Sequence, residues 1–507
     1  MMLKDAIVDI DLGDGAGKRK VPFADVHRVI GELLQGSQFG QAAAISVQLA
    51  EQRPRDLWPQ LVAGESLYLH QQIEPAIRYV DRALAIDPRN VASLVVRARL
   101  CVFTGDADEA VTLLDAAAAI APNDARLQNV RAEVLVDAGD IDRARTSYLR
   151  AIELNPRNVD GFLGLTTLPG APGDELITAF ESVAQSHELS ADDQIKAHFA
   201  LAQAYESTGV PAEQFAHLQA GNGLKNASLS YSGAAASREA QQIIDCFSLD
   251  YFSQDSGADR KVPEQRSDPV IFIVGFPRCG STLVEQILSC HPDVSAAGET
   301  FALRHAVASF QQANVPSVPY PAWIDLPQAG SLAGIADDYL RRVSEFNQTA
   351  YLTDKLLDNY RFVGLIHLIF PHARIVDVRR NPIDTCFSCY KRLFNLGSVP
   401  FAYDLDNLAS KYRDYRRLIR HWHSVLPGKI HTVEYEQLVS RQEDTTRALL
   451  KYCGLSWDDA CMDFYRNARP VMTNSNVQVR QPLYGDSIGR WEALAEYLGP
   501  LLELDND

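Results

Sequence analysis

Small and apolar positions in the first half of the chain return on a beat of 34 residues. Pro54, Pro88, Pro122 and Pro156 keep that interval, and each opens a similar tripeptide: Pro54-Arg-Asp56, Pro88-Arg-Asn90, Pro122-Asn-Asp124 and Pro156-Arg-Asn158. Ala42, Ala76, Ala110 and Ala144 hold the same register, as do Ala83, Ala117 and Ala151, and Gly105-Asp106 and Gly139-Asp140 fall where paired helices would turn. Small alanines let two helices approach closely, and a proline stops the second helix before the next pair begins. Past residue 268 the rhythm changes. The apolar run Val270–Val274 predicts a buried strand, and Leu283, Val284, Ile287 and Leu288 predict a helix over Ser281–Cys290, stopped at His291-Pro292. A helical stretch around Tyr360–Phe370 ends at Pro371, strands follow at Arg374–Val378 and near Ile430–Val433, and a further helix runs from Glu436 to Tyr452. Strands alternating with helices predict a three-layer α/β domain with a mostly parallel sheet.

The period of the first half and its small residues resemble the tetratricopeptide repeat. The expected organisation is an N-terminal tail (1–22), a tetratricopeptide-repeat helical solenoid (23–226), a connecting helix and linker (227–268) and an α/β domain (269–507). Clear repeats cover 57–158, with degenerate ones flanking them; Leu201, Tyr205 and Gly209 mark one of these. The polar stretch Gln254–Pro269, with Gly257 and Pro263, is the linker proper. Repeats of this kind stack into an array with an extended concave face. That face suits docking of a peptide or protein, and it equally suits a structural or oligomerisation appendage.

Between the first α/β strand and its helix stands Gly275-Phe-Pro-Arg278-Cys279-Gly280-Ser281-Thr282. A glycine-bounded loop running into a helix N-terminus is an anion site, because backbone N–H groups converge there and the helix dipole adds partial positive charge. The spacing is that of a Walker A loop, except that Ser281 stands where the lysine should be and Arg278 sits inside the loop. A second candidate follows the Arg374–Val378 strand: Arg380 and Ser388 are eight residues apart, so a loop guanidinium and a helix hydroxyl could grip one phosphate.

Composition narrows the partners. A chain of 507 residues with 46% hydrophobic and 22% charged content is ordinary for a multidomain globular protein. A net charge of −17 argues against non-specific binding to nucleic acid or anionic membranes, leaving room for a local basic pocket. No apolar run reaches the length of a membrane span, and Met1 to Lys20 has no signal-peptide core, so a cytoplasmic protein is expected. Eight scattered cysteines make no disulfide framework, and Cys386 and Cys389 are expected as two small apolar residues on a helix.

The loop Phe276-Pro-Arg278-Cys-Gly280-Ser281-Thr282 resembles the 5′-phosphosulfate loop of sulfotransferases that use 3′-phosphoadenosine 5′-phosphosulfate (PAPS), and Arg380…Ser388 resembles their 3′-phosphate motif. The run through His291-Pro292-Asp293 to Gly298-Glu299-Thr300 is most similar to the tyrosylprotein sulfotransferases. The ending Val479-Arg480-Gln-Pro482…Ser487-Ile-Gly489-Arg490-Trp491 resembles the nucleotide-binding segment of bacterial repeat-linked sulfotransferases. The resemblance covers about Pro269 to Leu504. It implies a P-loop-like sulfotransferase domain that moves a sulfuryl group in line from PAPS to a hydroxyl, phenol or amine, with 3′-phosphoadenosine 5′-phosphate (PAP) as product and no metal expected. It implies Glu299 as catalytic base, Lys355 as the lysine that neutralises charge on the bridging oxygen, and Arg278 with Cys279, Gly280, Ser281 and Thr282 around the phosphosulfate. It further implies Arg380 and Ser388 on the 3′-phosphate, Tyr435 near the adenine, and Arg480, Ser487, Gly489, Arg490 and Trp491 closing over the nucleotide.

Two departures and two nearby histidines keep other outcomes open. Cys279 stands where the tyrosylprotein enzymes usually carry Ser, so one hydroxyl donor is lost and sensitivity to oxidation is expected to rise. His291 and His305 lie near Glu299 and are fallback bases. No membrane anchor is readable, so the acceptor need not be protein tyrosine: peptide, glycan, lipid and small molecule remain open. The competing readings are a P-loop nucleotide kinase or NTPase and a non-catalytic repeat scaffold.

Overall fold

The computed structural model describes residues 7–12, 17–36, 38–70, 72–186, 188–253, 270–324, 326, 329–394, 399–466, 483 and 488–506. The chain forms two compact units, Met1–Gly209 and Val210–Asp507. In the first, the third residue of each proline tripeptide from the second onward is a helix N-cap. Asn90 accepts from Ser93 N–H, Asp124 from Arg126 and Leu127, and Asn158 from Gly161, so each repeat begins with its exposed amides satisfied. The periodic alanines do what their size predicts: Ala42, Ala76, Ala83, Ala110, Ala117, Ala144 and Ala151 are all fully buried where helices cross. Helix pairs such as Val91–Thr104 with Ala107–Ile120 and Ala125–Asp137 with Ile141–Leu154 follow one another down the array.

The segment 1–22, expected as a tail, is corrected by the fold. Strand β1 (Ile7–Asp11) pairs antiparallel with β2 (Lys18–Pro22). Val8, Ile10 and Val21 enter one apolar cluster with Phe23, Val26, Ile30, Ile45 and Leu49 of the following helices. The alternation of apolar and acidic residues in Ile7-Val8-Asp9-Ile10-Asp11 is the strand signal that the surrounding Asp and Gly obscured.

The second unit is built on a five-stranded parallel sheet. Its strands are β3 (Val270–Gly275), β4 (Val294–Ala296), β5 (Tyr351–Asp354), β6 (Arg374–Arg379) and β7 (Ile430–Glu434), in the order β4-β5-β3-β6-β7. The central β3 is buried throughout, which is why it reads as a continuous apolar run. One face of the sheet packs on Leu283, Val284, Ile287 and Leu288 of the helix Ser281–Ser289. The other carries the helix Leu405–Val425, which is fixed by Tyr415 Oη donating to Asp377 Oδ1 at 2.6 Å and Trp422 Nε1 donating to the Tyr360 carbonyl at 2.8 Å. The short strands β4 and β5 left no pattern long enough to see. The helix expected from Glu436 to Tyr452 is two helices, Tyr435–Ser440 and Gln442–Cys453, broken at Arg441.

The boundary between the units falls earlier than the expected 226/227. The helix Pro211–Ala227 belongs to the second unit, where Phe215 stacks on Tyr390 and Tyr497 and Asn222 Nδ2 donates to the Tyr390 carbonyl at 2.9 Å. Helix Gly233–Cys246 joins it there. Ser237 donates to Asp414 at 2.6 Å, Glu239 pairs with Arg361, and the adjoining Phe247 packs edge-on against Trp422. The helices Pro211–Ala227 and Gly233–Cys246 therefore brace the sheet domain, because their apolar and polar partners lie on it.

Candidate active site

The loop after β3 is held in an unusual backbone path. Arg278 has φ +71°, a left-handed conformation rare for any residue with a side chain, and Gly280 follows at +98°. A Cβ on Gly280 would stand 2.5 Å from Tyr435 Cδ2, so only glycine lets the tyrosine ring lie against the loop. The loop is closed by Cys279 N–H to the Phe276 carbonyl at 3.2 Å and by the Cys389 thiol to the Pro277 carbonyl at 3.3 Å. Helix bonding begins only at Leu283 N–H to Gly280 O (3.0 Å), so the amides of Ser281 and Thr282 lie ahead of the first intrahelical bond. Left-handed turns in front of such a terminus gather N–H groups into an anion cradle.

Arg278 and Ser388, 110 residues apart in the chain, meet here: Arg278 Nε donates to Ser388 Oγ at 3.2 Å. Ser388 lies on the helix Pro382–Tyr390, whose start is capped by Asn381 accepting from Ile383 and Asp384 N–H groups. Arg380, ahead of that helix, lies over the Tyr435 ring at 5.2 Å and 3.6 Å from Asp384. Asp384 in turn accepts from Gly489 N–H through both oxygens, at 3.0 and 3.2 Å, tying Gly489 to the same helix. Arg490 is exposed beside it and Trp491 is half-buried, whereas Arg480 and Ser487 lie outside the described residues.

On the other side of β3, Lys355 and Glu299 form a pair. Lys355 follows β5 and is fully buried; its Nζ donates to Glu299 Oε1 at 2.7 Å, while the Glu299 side chain is 50% exposed. Gly298 sets the approach, at φ +69°, accepting from Lys355 N–H at 2.9 Å. Lys355 is preceded by Asp354, whose carboxyl accepts from Leu356 N–H, Asn359 Nδ2 and Tyr339 Oη. Burial pushes that carboxyl up to about 7.

Several expectations change. The Cys279 side chain is 1% exposed within the apolar cluster, its sulfur held against Ser281, and burial pushes its thiol up to about 11. Oxidation sensitivity is therefore not raised, since the reactive thiolate is disfavoured. His291 is spent structurally, its Nδ1 accepting from Asp293 N–H and its Nε2 facing the Ser456 carbonyl, and His305 is exposed on the helix Ala302–Asn314. Cys386 and Cys389 are both buried on their helix, with Cys389 serving as the loop's brace.

Sequence reasoning missed three residues here. Arg392 follows Ser388 by four positions, and burial together with the neighbouring Arg278 charge hold its guanidinium down to about 10. A third arginine in the neighbourhood of Arg278 and Arg380 marks an electropositive focus in an acidic chain. Asp384 and Glu285 were missed because a lone carboxylate on a helix carries no motif of its own.

The profile of the sulfotransferase family matches residues 269–459, and tetratricopeptide-repeat profiles match 67–134 and 129–165. The chain thus carries a sulfotransferase-family domain behind tetratricopeptide repeats. Among its relatives, an uncharacterized protein of Aquifex aeolicus (strain VF5) is 31% identical over 338 residues, 65% of this chain and 44% of that one. Protein-tyrosine sulfotransferase 1 of Danio rerio is 27% identical over 241 residues, covering 44% of this chain and 65% of the enzyme. The chain thus spans less than two thirds of the length of either. Among solved structures, the sulfotransferase domain of the Synechococcus PCC 7002 olefin synthase aligns at 20% identity, with a TM-score of 0.35, over 46% of this chain and 90% of that one. A thermophilic tetratricopeptide-repeat protein of Thermus thermophilus aligns at 18% identity, with a TM-score of 0.31, over 35% of this chain and 98% of that one.

Proposed function

We propose that this protein is a PAPS-dependent sulfotransferase acting on a hydroxyl, phenol or amine acceptor. The single observation that carries this is the junction of Arg278 with Ser388, because it places the loop and the Arg380–Ser388 motif side by side, as one bisphosphorylated nucleotide would require. The residues fit such a ligand. The glycine-only contact of Gly280 with Tyr435 leaves an aromatic face beside the anion cradle, and Arg380 and Arg392 supply charge around it. PAPS would supply the activated sulfuryl group on a good leaving phosphate; what remains for the protein is positioning and charge stabilisation.

Arg278, the loop amides, Ser281 and Thr282 would hold the phosphosulfate oxygens, and Arg380 and Ser388 the 3′-phosphate. Gly489, Arg490 and Trp491 lie beside that motif through the Asp384 tie. Glu299 would accept the acceptor's proton. Lys355 has three N–H donors, of which one is directed at Glu299, leaving the others for the oxygen that bridges phosphate and sulfur. Half-exposure of Glu299 lets an acceptor reach it, and full burial of Lys355 keeps the ammonium's position fixed. The repeats would dock the acceptor or a partner on their concave face.

Titration of the metal-free protein with PAP and with ADP tests this proposal, followed by transfer of labelled sulfate from PAPS to an acceptor panel. Preference for PAP together with label transfer supports it. ADP binding that needs Mg²⁺ moves the assignment to a P-loop kinase or NTPase.

A further inference from the structure

Glu285 lies one turn into the helix that starts at the anion loop, and its carboxyl reaches two further elements. It is 4% exposed. Its Oε1 accepts two hydrogen bonds from outside the helix: from Gly298 N–H at 3.1 Å and from Thr353 Oγ1 at 3.3 Å. Gly298 immediately precedes Glu299, and Thr353 lies two residues before Lys355. The strand β5 and the Gly298 turn are also linked directly, by Ala297 N–H to the Thr353 carbonyl and by Lys355 N–H to the Gly298 carbonyl, both at 2.9 Å. One carboxyl oxygen thus fastens three elements at one point: the helix behind the anion loop, the turn that carries Glu299 and the strand that carries Lys355.

The hydrogen bonding of this arrangement argues against a purely structural filler. An apolar residue of similar size would leave the Gly298 N–H and the fully buried Thr353 hydroxyl short of this partner. Packing alone, however, would have been met by apolar residues at 285 and 353. The polar tie instead fixes where Glu299 and Lys355 stand relative to Ser281 and Thr282 on the same helix, and reaction geometry of this kind is sensitive to displacements of an ångström.

We propose that Glu285 is a positioning residue that locks the Glu299–Lys355 pair to the anion loop through Gly298 and Thr353. It touches no reacting atom; it acts by hydrogen-bond acceptance. What the pair does chemically rests on the sulfotransferase reading, whereas the tie itself does not.

The test uses the full-length chain with three substitutions: Glu285→Ala, which removes the acceptor, Glu285→Gln, which keeps an accepting Oε1, and Thr353→Val, which removes one donor at equal volume. Two quantities that need no identified acceptor are read, hydrolysis of PAPS to PAP with water as acceptor and affinity for PAP. A third, amide hydrogen exchange at Gly298 and Glu299, needs no activity. Glu285→Ala is expected to slow PAPS hydrolysis on the order of 10–100-fold at unchanged PAP affinity. It should also speed exchange at Gly298 on the order of tenfold. Glu285→Gln restores both, and Thr353→Val falls between. Unchanged exchange and hydrolysis in Glu285→Ala overturn the proposal, as does a loss of PAP affinity parallel to that of hydrolysis, which would mean that Glu285 supports the loop and not the pair. A wild-type protein that neither binds PAP nor hydrolyses PAPS removes the sulfotransferase reading, while the exchange measurement still decides the tie.

Discussion

Lys355 and Glu299 are 56 residues apart in the chain and 2.7 Å apart in the fold, and the pair is lopsided: the ammonium is fully buried and the carboxylate half-exposed. Removing Glu299 therefore leaves a buried cation without its partner, while removing Lys355 leaves a carboxylate that water can reach.

That asymmetry separates stability from catalysis. Glu299→Gln keeps an oxygen for Lys355 and is expected to unfold within about 1 kcal/mol of wild type, whereas Glu299→Ala loses about 1–3 kcal/mol. Both should lose about 10²–10⁴-fold in transfer, because neither can take a proton. Denaturant melts beside PAPS turnover measure the two effects, and full turnover in Glu299→Gln would remove it as the base.

Gly280 is tested by a single methyl. Gly280→Ala forces a side chain onto a backbone at φ +98° and drives its Cβ within 2.5 Å of Tyr435. A cost of about 1–3 kcal/mol and a loss of PAP affinity are expected, since either the loop or the ring must move. Calorimetry of PAP binding reads this directly; wild-type affinity would detach the loop from the nucleotide.

The arginines should sort by ligand oxygen. Arg380→Ala is expected to weaken PAP about tenfold or more while changing ADP little, because only PAP carries the 3′-phosphate. Arg392→Met should lower PAP affinity and flatten its salt dependence, having removed charge from the same focus. Equal weakening of PAP and ADP by Arg380→Ala would defeat its assignment.

Asp354 predicts a pH dependence. Its folded carboxyl is raised by burial to about 7, so between its ordinary range and that value the folded chain holds a proton that the unfolded chain has released. Its contribution to stability is full below about pH 4 and lost as pH rises through about 7. Asp354→Asn stays neutral throughout, so its stability relative to wild type should improve from pH 5 to pH 8. Melts of both proteins across that range check the sign, and a flat difference would contradict it.

Cys279 should be inert. With its thiol in the apolar cluster and raised to about 11, it is expected to resist alkylation in the native protein at pH 8, after the half-buried Cys246 and Cys290 have reacted. Mass spectrometry of alkylated peptides identifies the order; early modification of Cys279 would show that the loop opens.

Local signals carried much of this protein. The 34-residue beat, the capping Asn90, Asp124 and Asn158, and the strand–loop–helix unit at Val270–Ser289 each rest on contacts within a few turns of the chain, so sequence alone determined the repeat array and the anion loop. Only the tertiary structure decided the rest. Arg278 meets Ser388, Glu285 reaches Gly298 and Thr353, and Asp384 takes Gly489 across separations that leave no periodic trace. The burial of the Cys279 thiol, the bracing of the sheet domain by the helices Pro211–Ala227 and Gly233–Cys246, and the strands β4 and β5 were settled the same way, by which partner lies within reach once the sheet has assembled. Periodicity reports which face of an element is buried; it does not report what that face is buried against.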